Sequence, residues 1–363
     1  MNLALLIGRF PPNVHGGAEL QAEQWALRLS ARHRVTVVTR AEHGAGASRE
    51  TRDGFVVERL PVGRLPFVRA LQDRERILRA IAALAPRPDL LLCFQTFISG
   101  WAGVRVQQRL GVPAVVWVRG EDEIRMRSAR TRWTSVGVWT HARGVLVQGA
   151  GMREALLAEL APPRAAHIAP RLAIVPNGIE LPAPAPPRPR SGVLAVGRLV
   201  ERKGMDVLIE AAVGLAQPLT VAGAGPERER LEALAHARGV DVRFTGALKR
   251  AALQPLYAAA AACVLPSRFG EGFPNVVLEA QAHGCPVVAT RVTGVGDLIE
   301  HERNGLLVAP GDPVALRAAI ARVTGDPELA MRLGCAGRAT AEGHAWERVL
   351  PQLENQLERW RVA

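Results

Sequence analysis

Short apolar runs alternate with segments of helical spacing along the first half of the chain. Runs of strand length rich in Val and Leu are typical of strands that are buried on both faces of a sheet. They lie at Leu3–Gly8, Val35–Thr39, Phe55–Leu60, Leu90–Phe94, Val112–Val118 and Val145–Gly149. Helical spacing is found between them, for example at Ala18–Ala31 and Val68–Leu84. The alternation predicts a parallel sheet that is covered by helices on both faces.

The pattern restarts after a proline-rich segment, residues 181–191, which predicts a stiff linker because proline neither continues a helix nor donates to a sheet. Six further apolar runs follow, at Val193–Gly197, Leu219–Gly223, Val242–Gly246, Ala262–Pro266, Pro286–Thr290 and Leu306–Val308. A chain of 363 residues is also too long for one ordinary core. We therefore expect two Rossmann-like domains, 1–180 and 192–345, that face each other across a cleft, with a C-terminal helix near 346–363 packing back onto the first.

Composition excludes several classes of protein. The four cysteines lie far apart without CxxC spacing, so neither a disulfide scaffold nor a zinc site is predicted. The N-terminal apolar run is too short for a secretory signal, and no run approaches the ~20 apolar residues of a membrane-spanning helix. A cytoplasmic protein is expected, at most peripheral at the inner face of the membrane.

Positive charge is concentrated in the first half of the chain. The net charge is +12, and residues 1–180 carry 25 arginines against 15 acidic residues. This asymmetry indicates contact with an anionic membrane or a phosphorylated acceptor. Coding bias is an equally open explanation, because 44 of the 46 basic residues are arginine. Nucleic acid is disfavoured, because the basic residues are scattered and only one tyrosine is available for stacking.

The segment PSRFGEGFPNVVLEA, residues 266–280, contains the most informative chemistry. It follows a predicted strand and enters a predicted helix, whose first position suits Pro274. Free N–H groups at such a helix start bind anions or hydroxyls. Glu271 is expected on the loop and Glu279 about two turns into the helix, where the two carboxylates could hold hydroxyls at two ends of one extended ligand. The pair also resembles that of an inverting hydrolase.

Two further loops carry candidate phosphate-binding residues. Arg198 and Lys203 lie in VGRLVERKG, residues 196–204, and two cations beside a glycine and a helix start suit a diphosphate. Gly16 and Gly17 follow the first strand and open a helix. The second loop is not GxGxxG, and Arg40 stands where an acidic residue would bind a nicotinamide dinucleotide, so a dehydrogenase is disfavoured.

Together these segments resemble glycosyltransferase family 4, a group of retaining enzymes with the GT-B fold. The resemblance covers nearly the whole chain and is densest in residues 193–310. Supporting motifs are VPNG at residues 175–178, VAGAGP at 221–226 and NGLLV at 304–308. The resemblance implies transfer of a sugar from a nucleotide-diphosphate sugar to a glycan, a lipid-linked saccharide or another cell-envelope or small-molecule acceptor.

The resemblance also assigns roles to the candidate residues. Arg198 and Lys203 would bind the donor diphosphate, Glu271 the sugar hydroxyls and Glu279 the ribose hydroxyls. Further donor contacts would come from Gly16, Gly17, Gly272, Phe273, Pro274, Asn275 and Val276. No metal and no cofactor are expected, because two cations and helix N-termini do what a metal otherwise does.

One position departs from the family pattern. Many members carry a histidine near the anomeric carbon, whereas this chain has Arg119 in the matching stretch WVRGEDE, residues 117–123. An arginine cannot act as a general base, but it could stabilise charge on the diphosphate or on an anionic acceptor, with Glu121 orienting it. Two alternatives stay open: a nucleotide-sugar 2-epimerase or other non-transferring GT-B enzyme, and a catalytically inactive GT-B binding protein.

Overall fold

A computed structural model describes residues 1–12, 17–42, 44–63, 69–120, 129–183 (with side chains from 131) and 189–362. The chain divides into two compact units, Met1–Asn177 with Val349–Ala363 and Gly178–Arg348. The C-terminal segment of the chain thus belongs to the first unit. Residues 184–188 of the predicted linker and the predicted site residue Gly16 lie outside the described residues.

The first unit is a doubly wound α/β domain. Its strands are β1 Asn2–Leu6, β2 Arg34–Arg40, β3 Ser48–Arg52, β4 Phe55–Leu60, β5 Leu90–Phe94, β6 Ala114–Trp117, β7 Gly144–Val147 and β8 Leu172–Ile174. Its helices are α1 Gly17–Ser30, α2 Arg69–Ala83, α3 Trp101–Leu110, α4 Ala129–His141, α5 Ala150–Ala158 and α6 Pro162–Ile168. The order across the sheet is β3-β4-β2-β1-β5-β6-β7-β8. Pairing is parallel except between β3 and β4.

The second unit has the strand order of a dinucleotide-binding fold. Its strands are β9 Val193–Val196, β10 Leu219–Ala222, β11 Val242–Gly246, β12 Ala262–Leu265, β13 Val287–Thr290 and β14 Leu306–Val308. They are parallel and run β11-β10-β9-β12-β13-β14 across the sheet, the Rossmann order 3-2-1-4-5-6. Its helices are α7 Met205–Ala212, α8 Arg228–Ala237, α9 Arg250–Ala259, α10 Asn275–Ala282, α11 Pro313–Gly325 and α12 Pro327–Gly343. Helix α13, Trp346–Val362, ends the described chain.

Apolar strands explain why these sheets form. Strands β5, β6 and β7 are buried at every position, as expected for strands with a helix layer on each face. The same holds for β12 and β13 in the second unit. The predicted parallel α/β architecture is therefore confirmed. No helix of the described residues is long and apolar enough to cross a membrane.

The strand order places the candidate loops. Ligands of doubly wound sheets bind beyond the carboxyl ends of the strands, where the strand order reverses. In the second unit this point lies between β9 and β12, which are paired neighbours in the sheet. The loops that follow these two strands, residues 197–204 and 266–274, therefore lie side by side although about 70 residues separate them in the chain.

Candidate active site

Lys203 and Glu271 meet across the two loops of the second unit. The Lys203 Nζ donates to both carboxylate oxygens of Glu271, at 2.7 Å and 2.9 Å. Ser267 Oγ donates to Glu271 Oε1 at 2.5 Å, and Ser267 itself is fully buried. Only 13% of the lysine side chain and 8% of the glutamate side chain are exposed. The two residues that the sequence assigned to diphosphate and sugar thus form one buried ion pair.

Backbone contacts hold the two loops together. The Arg268 N–H donates to the Arg202 carbonyl at 2.9 Å, and the Arg202 guanidinium donates to the Gly270 carbonyl at 3.0 Å. Gly204 has a φ of +62°, and a Cβ there would lie 2.1 Å from the Pro266 carbonyl oxygen. Glycine is needed at this position because it both adopts a positive φ and lets the neighbouring loop approach.

Arg198 differs from Lys203 in its surroundings. It lies on the loop after β9 and is exposed. Its guanidinium makes no hydrogen bond or ion pair with the part of the chain that the structure describes. Glu271 neutralises the charge of Lys203. Of the two predicted phosphate-binding cations, Arg198 is therefore the one whose positive charge is not compensated. Lys203 still has a third ammonium N–H beyond the two that Glu271 accepts.

Backbone N–H groups at the start of α10 supply further donors. The carbonyl of Pro274 accepts from the N–H of Val277 at 3.0 Å. Among the described residues, the N–H groups of Gly272, Phe273 and Val276 donate to no acceptor. Such N–H groups at a helix start, together with the helix dipole, stabilise an anion or a hydroxyl oxygen.

The predicted position of Pro274 is wrong by one residue. The helix begins at Asn275, and Pro274 is its N-cap with a ψ of 99°, which is extended rather than helical. The shift also places Glu279 at the fifth helical residue, little more than one turn into α10 rather than two. Pro274 has no N–H of its own, so the donors at this helix start are the N–H groups of neighbouring residues.

Glu279 is half-buried and hydrogen-bonded, unlike an ordinary carboxylate on the exposed face of a helix. Its Oε2 accepts from the Tyr257 hydroxyl at 2.8 Å. Burial raises the pKa of Glu279, and the Tyr257 hydrogen bond and the charge of Arg250 oppose this rise. The carboxylate is thus held by a neighbouring helix, α9, rather than by solvent.

In the first unit, Arg119 follows β6 and is 8% exposed. Its Nη2 donates to Asn177 Oδ1 at 2.9 Å, and Gln148 Nε2 donates to the same oxygen at 2.9 Å. The guanidinium carbon lies 4.7 Å from the ring centroid of Trp117 and 5.4 Å from that of Phe94. Arg119 is therefore a buried cation fixed by an amide and by aromatic faces. Glu121, its predicted orienting partner, lies outside the described residues.

The other predicted residues of the first unit are placed in part. Gly17 is the first residue of α1 and is exposed, whereas Gly16 lies outside the described residues. Among the described residues, no group of three or more His, Cys, Asp or Glu side chains could hold a metal ion.

Sequence reasoning missed three partners of the predicted residues, Ser267, Asn177 and Tyr257, and also Gln148, which contacts Asn177. Ser267 and Asn177 lie within motifs that were identified, but nothing in those motifs shows which side chain they contact. Tyr257 is the single tyrosine of the chain, a signal that could have been followed. Gln148 carries no signal of its own.

Comparison with known proteins shows the family to which the chain belongs. A family model described as "Glycosyl transferase 4-like domain" matches residues 16–178, and one described as "Glycosyl transferases group 1" matches residues 190–326. The chain belongs to the glycosyltransferases. The two matches lie one in each unit and include the loops that carry Arg119, Lys203 and Glu271.

Three similar proteins show how far the likeness extends. A GDP-mannose-dependent alpha-(1-6)-phosphatidylinositol monomannoside mannosyltransferase of Mycobacterium tuberculosis is 33% identical over 183 residues, 46% of this chain and 47% of that protein. Glycogen synthase of the same organism is 28% identical over 377 residues, 93% of this chain and 89% of that protein. The structure of sucrose-phosphate synthase from Thermosynechococcus elongatus is 25% identical, with a TM-score of 0.84 and 99% of each chain covered. The fold is thus that of GT-B enzymes.

Relatives of higher identity match over shorter segments. Four curated proteins that are 37–39% identical match over 140–180 residues, which is 18–48% of their own length. The chain therefore spans less than half the length of these relatives.

Proposed function

We propose that this glycosyltransferase transfers a sugar, with retention of anomeric configuration, from a nucleotide-diphosphate sugar to a saccharide or lipid-linked acceptor, as in glycosyltransferase family 4. The observation that carries the proposal is the Lys203–Glu271–Ser267 cluster at the switch point of the second sheet. The name of the M. tuberculosis mannosyltransferase, a GDP-mannose-dependent enzyme, supports a nucleotide sugar as donor.

The donor diphosphate has two cations to bind it. Arg198 brings the uncompensated charge, and Lys203 donates its third N–H while Glu271 holds the other two. Glu271 keeps acceptor capacity for the hydroxyls of the sugar, because a carboxylate has about four lone-pair sites and three hydrogen bonds occupy it here. The N–H groups at the start of α10 bind the remaining oxygens.

The chemical step exchanges one C–O bond of the sugar for another. The bond from the anomeric carbon to the β-phosphate oxygen breaks, and the bond to the acceptor oxygen forms on the same face. The acceptor proton passes to the departing phosphate oxygen, so the products are the glycosylated acceptor and the nucleoside diphosphate. Arg198 and Lys203 stabilise the charge that develops on the leaving diphosphate, which is where binding energy accelerates the reaction.

Arg119 is proposed to act on charge rather than on protons. A guanidinium stays protonated, so it stabilises an anionic group of the acceptor or of the diphosphate. The Asn177 amide and the faces of Trp117 and Phe94 hold it in one orientation. With two cations and helix N–H groups at the diphosphate, we propose that transfer needs no metal and no cofactor.

The test is a transfer assay with defined products. The chain is incubated with UDP-, GDP- and ADP-sugars and with saccharide or lipid-linked acceptors, with Mg²⁺ or with EDTA. Proton NMR of the first product formed should show the anomeric configuration of the donor, at equal rates in both solutions. Inversion would contradict the mechanism, and loss of activity in EDTA would contradict metal independence.

The same assay separates the two alternatives. A 2-epimerase converts the nucleotide sugar without an acceptor, so a changed sugar in acceptor-free reactions would favour it. An inactive binding protein would bind a nucleotide sugar and leave it unchanged with every acceptor.

We also propose that the first unit contacts an anionic membrane surface, as its charge suggests. Trp133 on α4 is 78% exposed. It lines two cavities. The first, of about 280 Å³, is also lined by Arg132 and Arg164, and the second, of about 240 Å³, by Arg74 and Arg105. Arg132 pairs with Glu159, and Arg74 and Arg105 pair with Glu75, so the proposal depends mainly on Trp133 and Arg164. An exposed indole beside an arginine suits the interface of an anionic bilayer, where the ring lies at headgroup level.

Vesicle sedimentation tests this contact. Vesicles with phosphatidylglycerol should sediment the protein, and pure phosphatidylcholine vesicles should not. Salt should release it because screening weakens electrostatic attachment. Trp133→Ala with Arg164→Ser should lower the bound fraction, whereas Arg238→Ser, an exposed arginine of the second unit, should not. Equal sedimentation of both variants would refute the surface.

A further inference from the structure

The buried side chain of Tyr257 holds the carboxylate of Glu279. It lies on α9 and is 1% exposed, although it carries a hydroxyl. That hydroxyl donates to Glu279 Oε2 at 2.8 Å. It is also the single tyrosine of the 363 residues. A buried hydroxyl needs a hydrogen-bond partner, and here the partner is one of the two predicted donor-binding carboxylates.

A second set of contacts fixes the tyrosine ring itself. The ring stacks on His283 with centroids 5.6 Å apart and an interplanar angle of 28°. His283 Nδ1 lies 2.8 Å from the backbone carbonyl oxygen of Glu279, one helical turn before it. The histidine is thus anchored to the same helical turn that carries the carboxylate. The ring of Tyr257 and the backbone of Glu279 are therefore held in one fixed geometry.

We propose that Tyr257 is a positioning residue for nucleotide binding: it occupies Oε2 of Glu279 and turns Oε1 toward the hydroxyls of the donor ribose. This inference rests on the proposed function, in which Glu279 binds the ribose. Tyr257 does not contact the donor in this account and acts through the carboxylate alone.

The charges around Glu279 give the proposal a pH dependence. Arg250 and Tyr257 face it from α9, Cys263 from β12, and His283 directly follows its own helix. Burial raises the pKa of Glu279, while the Tyr257 hydrogen bond and Arg250 lower it. Burial raises the pKa of Tyr257 well above its ordinary value, so the hydroxyl stays a neutral donor.

Removal of the hydroxyl should act on Glu279 in a predictable direction. Without the Tyr257 hydroxyl the pKa of Glu279 rises further. The carboxylate is then protonated at a higher pH and accepts hydrogen bonds from the ribose over a narrower range of pH. Tyr257→Phe should therefore weaken nucleotide binding about tenfold at neutral pH, which is the effect of losing one hydrogen bond from the ribose to the charged carboxylate of Glu279. The loss should grow as the pH falls and begin at a higher pH than in the wild type.

The experiment is calorimetric titration with UDP, GDP and ADP from pH 5 to pH 9. It compares the wild type, Tyr257→Phe, Glu279→Gln and the double variant. Tyr257→Phe should cost nothing more in the Glu279→Gln background, because the two residues act through one carboxylate. Cys285→Ala removes another buried polar group from the same core and should leave affinity and its pH dependence unchanged.

The outcomes separate this inference from the function on which it rests. If no nucleotide binds the wild type, or if Glu279→Gln binds as the wild type does, the proposed role of Glu279 fails. If Glu279→Gln weakens binding while Tyr257→Phe keeps the wild-type affinity and pH profile, the positioning role fails and the function stands. A lower melting temperature of Tyr257→Phe without any change in affinity would also overturn it.

Discussion

The two units hold their candidate charges in different ways. In the second unit each predicted carboxylate has a specific donor: Lys203 and Ser267 for Glu271, and Tyr257 for Glu279. In the first unit the predicted cation, Arg119, is held by an amide oxygen and two aromatic rings. One site is organised around buried anions and the other around a buried cation.

This difference has a chemical meaning. Carboxylates with fixed donors suit a neutral, hydroxyl-rich ligand, because each keeps lone pairs that accept from hydroxyls. A buried guanidinium suits an anionic group, because its hydrogen bonds to oxyanions are strong in a poorly solvated site. We therefore expect the second unit to bind the hydroxyls of a donor beside its diphosphate, and Arg119 of the first unit to bind an anionic group. The predictions below test this contrast.

The largest effect is expected at the Lys203–Glu271 pair. Lys203→Ala leaves the Glu271 carboxylate buried without its counter-ion, so we expect a loss of about 3–5 kcal/mol in the free energy of unfolding. Transfer should fall by about three orders of magnitude, because the diphosphate loses a cation where charge develops. Both are measured on one preparation, by urea unfolding and by the transfer assay.

An exposed ion pair of the same unit serves as the control. Arg238 donates to both oxygens of Glu210 at 2.9 Å and 2.8 Å, with half of the arginine side chain exposed. Arg238→Ala should leave the free energy of unfolding almost unchanged, because water screens an exposed ion pair, and should leave transfer unchanged. Similar losses in Lys203→Ala and Arg238→Ala would remove the distinction between a site pair and a surface pair.

A smaller effect is expected at Arg119. Arg119→Met keeps a long side chain between Trp117 and Phe94 but removes the charge. We expect kcat/KM for a saccharide acceptor to fall about 10–100-fold, the effect of one or two hydrogen bonds to a charged group. Nucleotide affinity should stay at the wild-type value if the charge acts on an anionic group of the acceptor.

The matched control is Arg34→Met, an exposed arginine at the start of β2 in the same unit. It should change neither constant. A parallel loss of nucleotide affinity in Arg119→Met would assign Arg119 to the diphosphate instead, and an unchanged kcat/KM would remove it from the site.

Much of the fold could be predicted from the sequence because the central strands of both sheets are apolar and buried. Strands β5, β11 and β14 have the predicted bounds. Strand β3, Ser48–Arg52, was missed because it is a polar, exposed strand at the edge of the sheet, where no buried face requires apolar residues. Strand β8, Leu172–Ile174, was missed because it is a short edge strand in which only Leu172 is buried.

The candidate site could be predicted only residue by residue. Lys203 and Glu271 were each predicted from their own loop, which follows a strand and contains glycines before a helix. Lys203 and Glu271 are 68 positions apart in the chain, and their contact depends on the pairing of β9 with β12. For the same reason Tyr257 and Ser267 could not be assigned: local spacing does not show which helix packs against which carboxylate.

The smallest effect concerns helix N-termini, where the units also differ. In the second unit Asp326 caps α12, and its side chain accepts from the N–H groups of Glu328 and Leu329 at 3.1 Å and 3.0 Å. In the first unit the N-cap of α6 is Ala161, whose extended backbone (φ −61°, ψ 145°) suits a cap but whose side chain offers no acceptor. Proline follows both positions, so the two helix starts are closely comparable.

Exchanging the two caps should shift stability in opposite directions. Asp326→Ala should cost about 1 kcal/mol, and Ala161→Asp should add about 0.5–1 kcal/mol, since each changes the side-chain acceptor at the cap and the charge near a helix dipole. Urea unfolding followed by circular dichroism measures both, and tryptophan fluorescence mainly follows the first unit because Trp346 is the one tryptophan of seven in the second. Ala161→Asn separates the two causes, because asparagine caps without charge. A gain in Ala161→Asp that Ala161→Asn does not share would assign the effect to charge, and no gain in either would show that α6 is not limited by its missing cap.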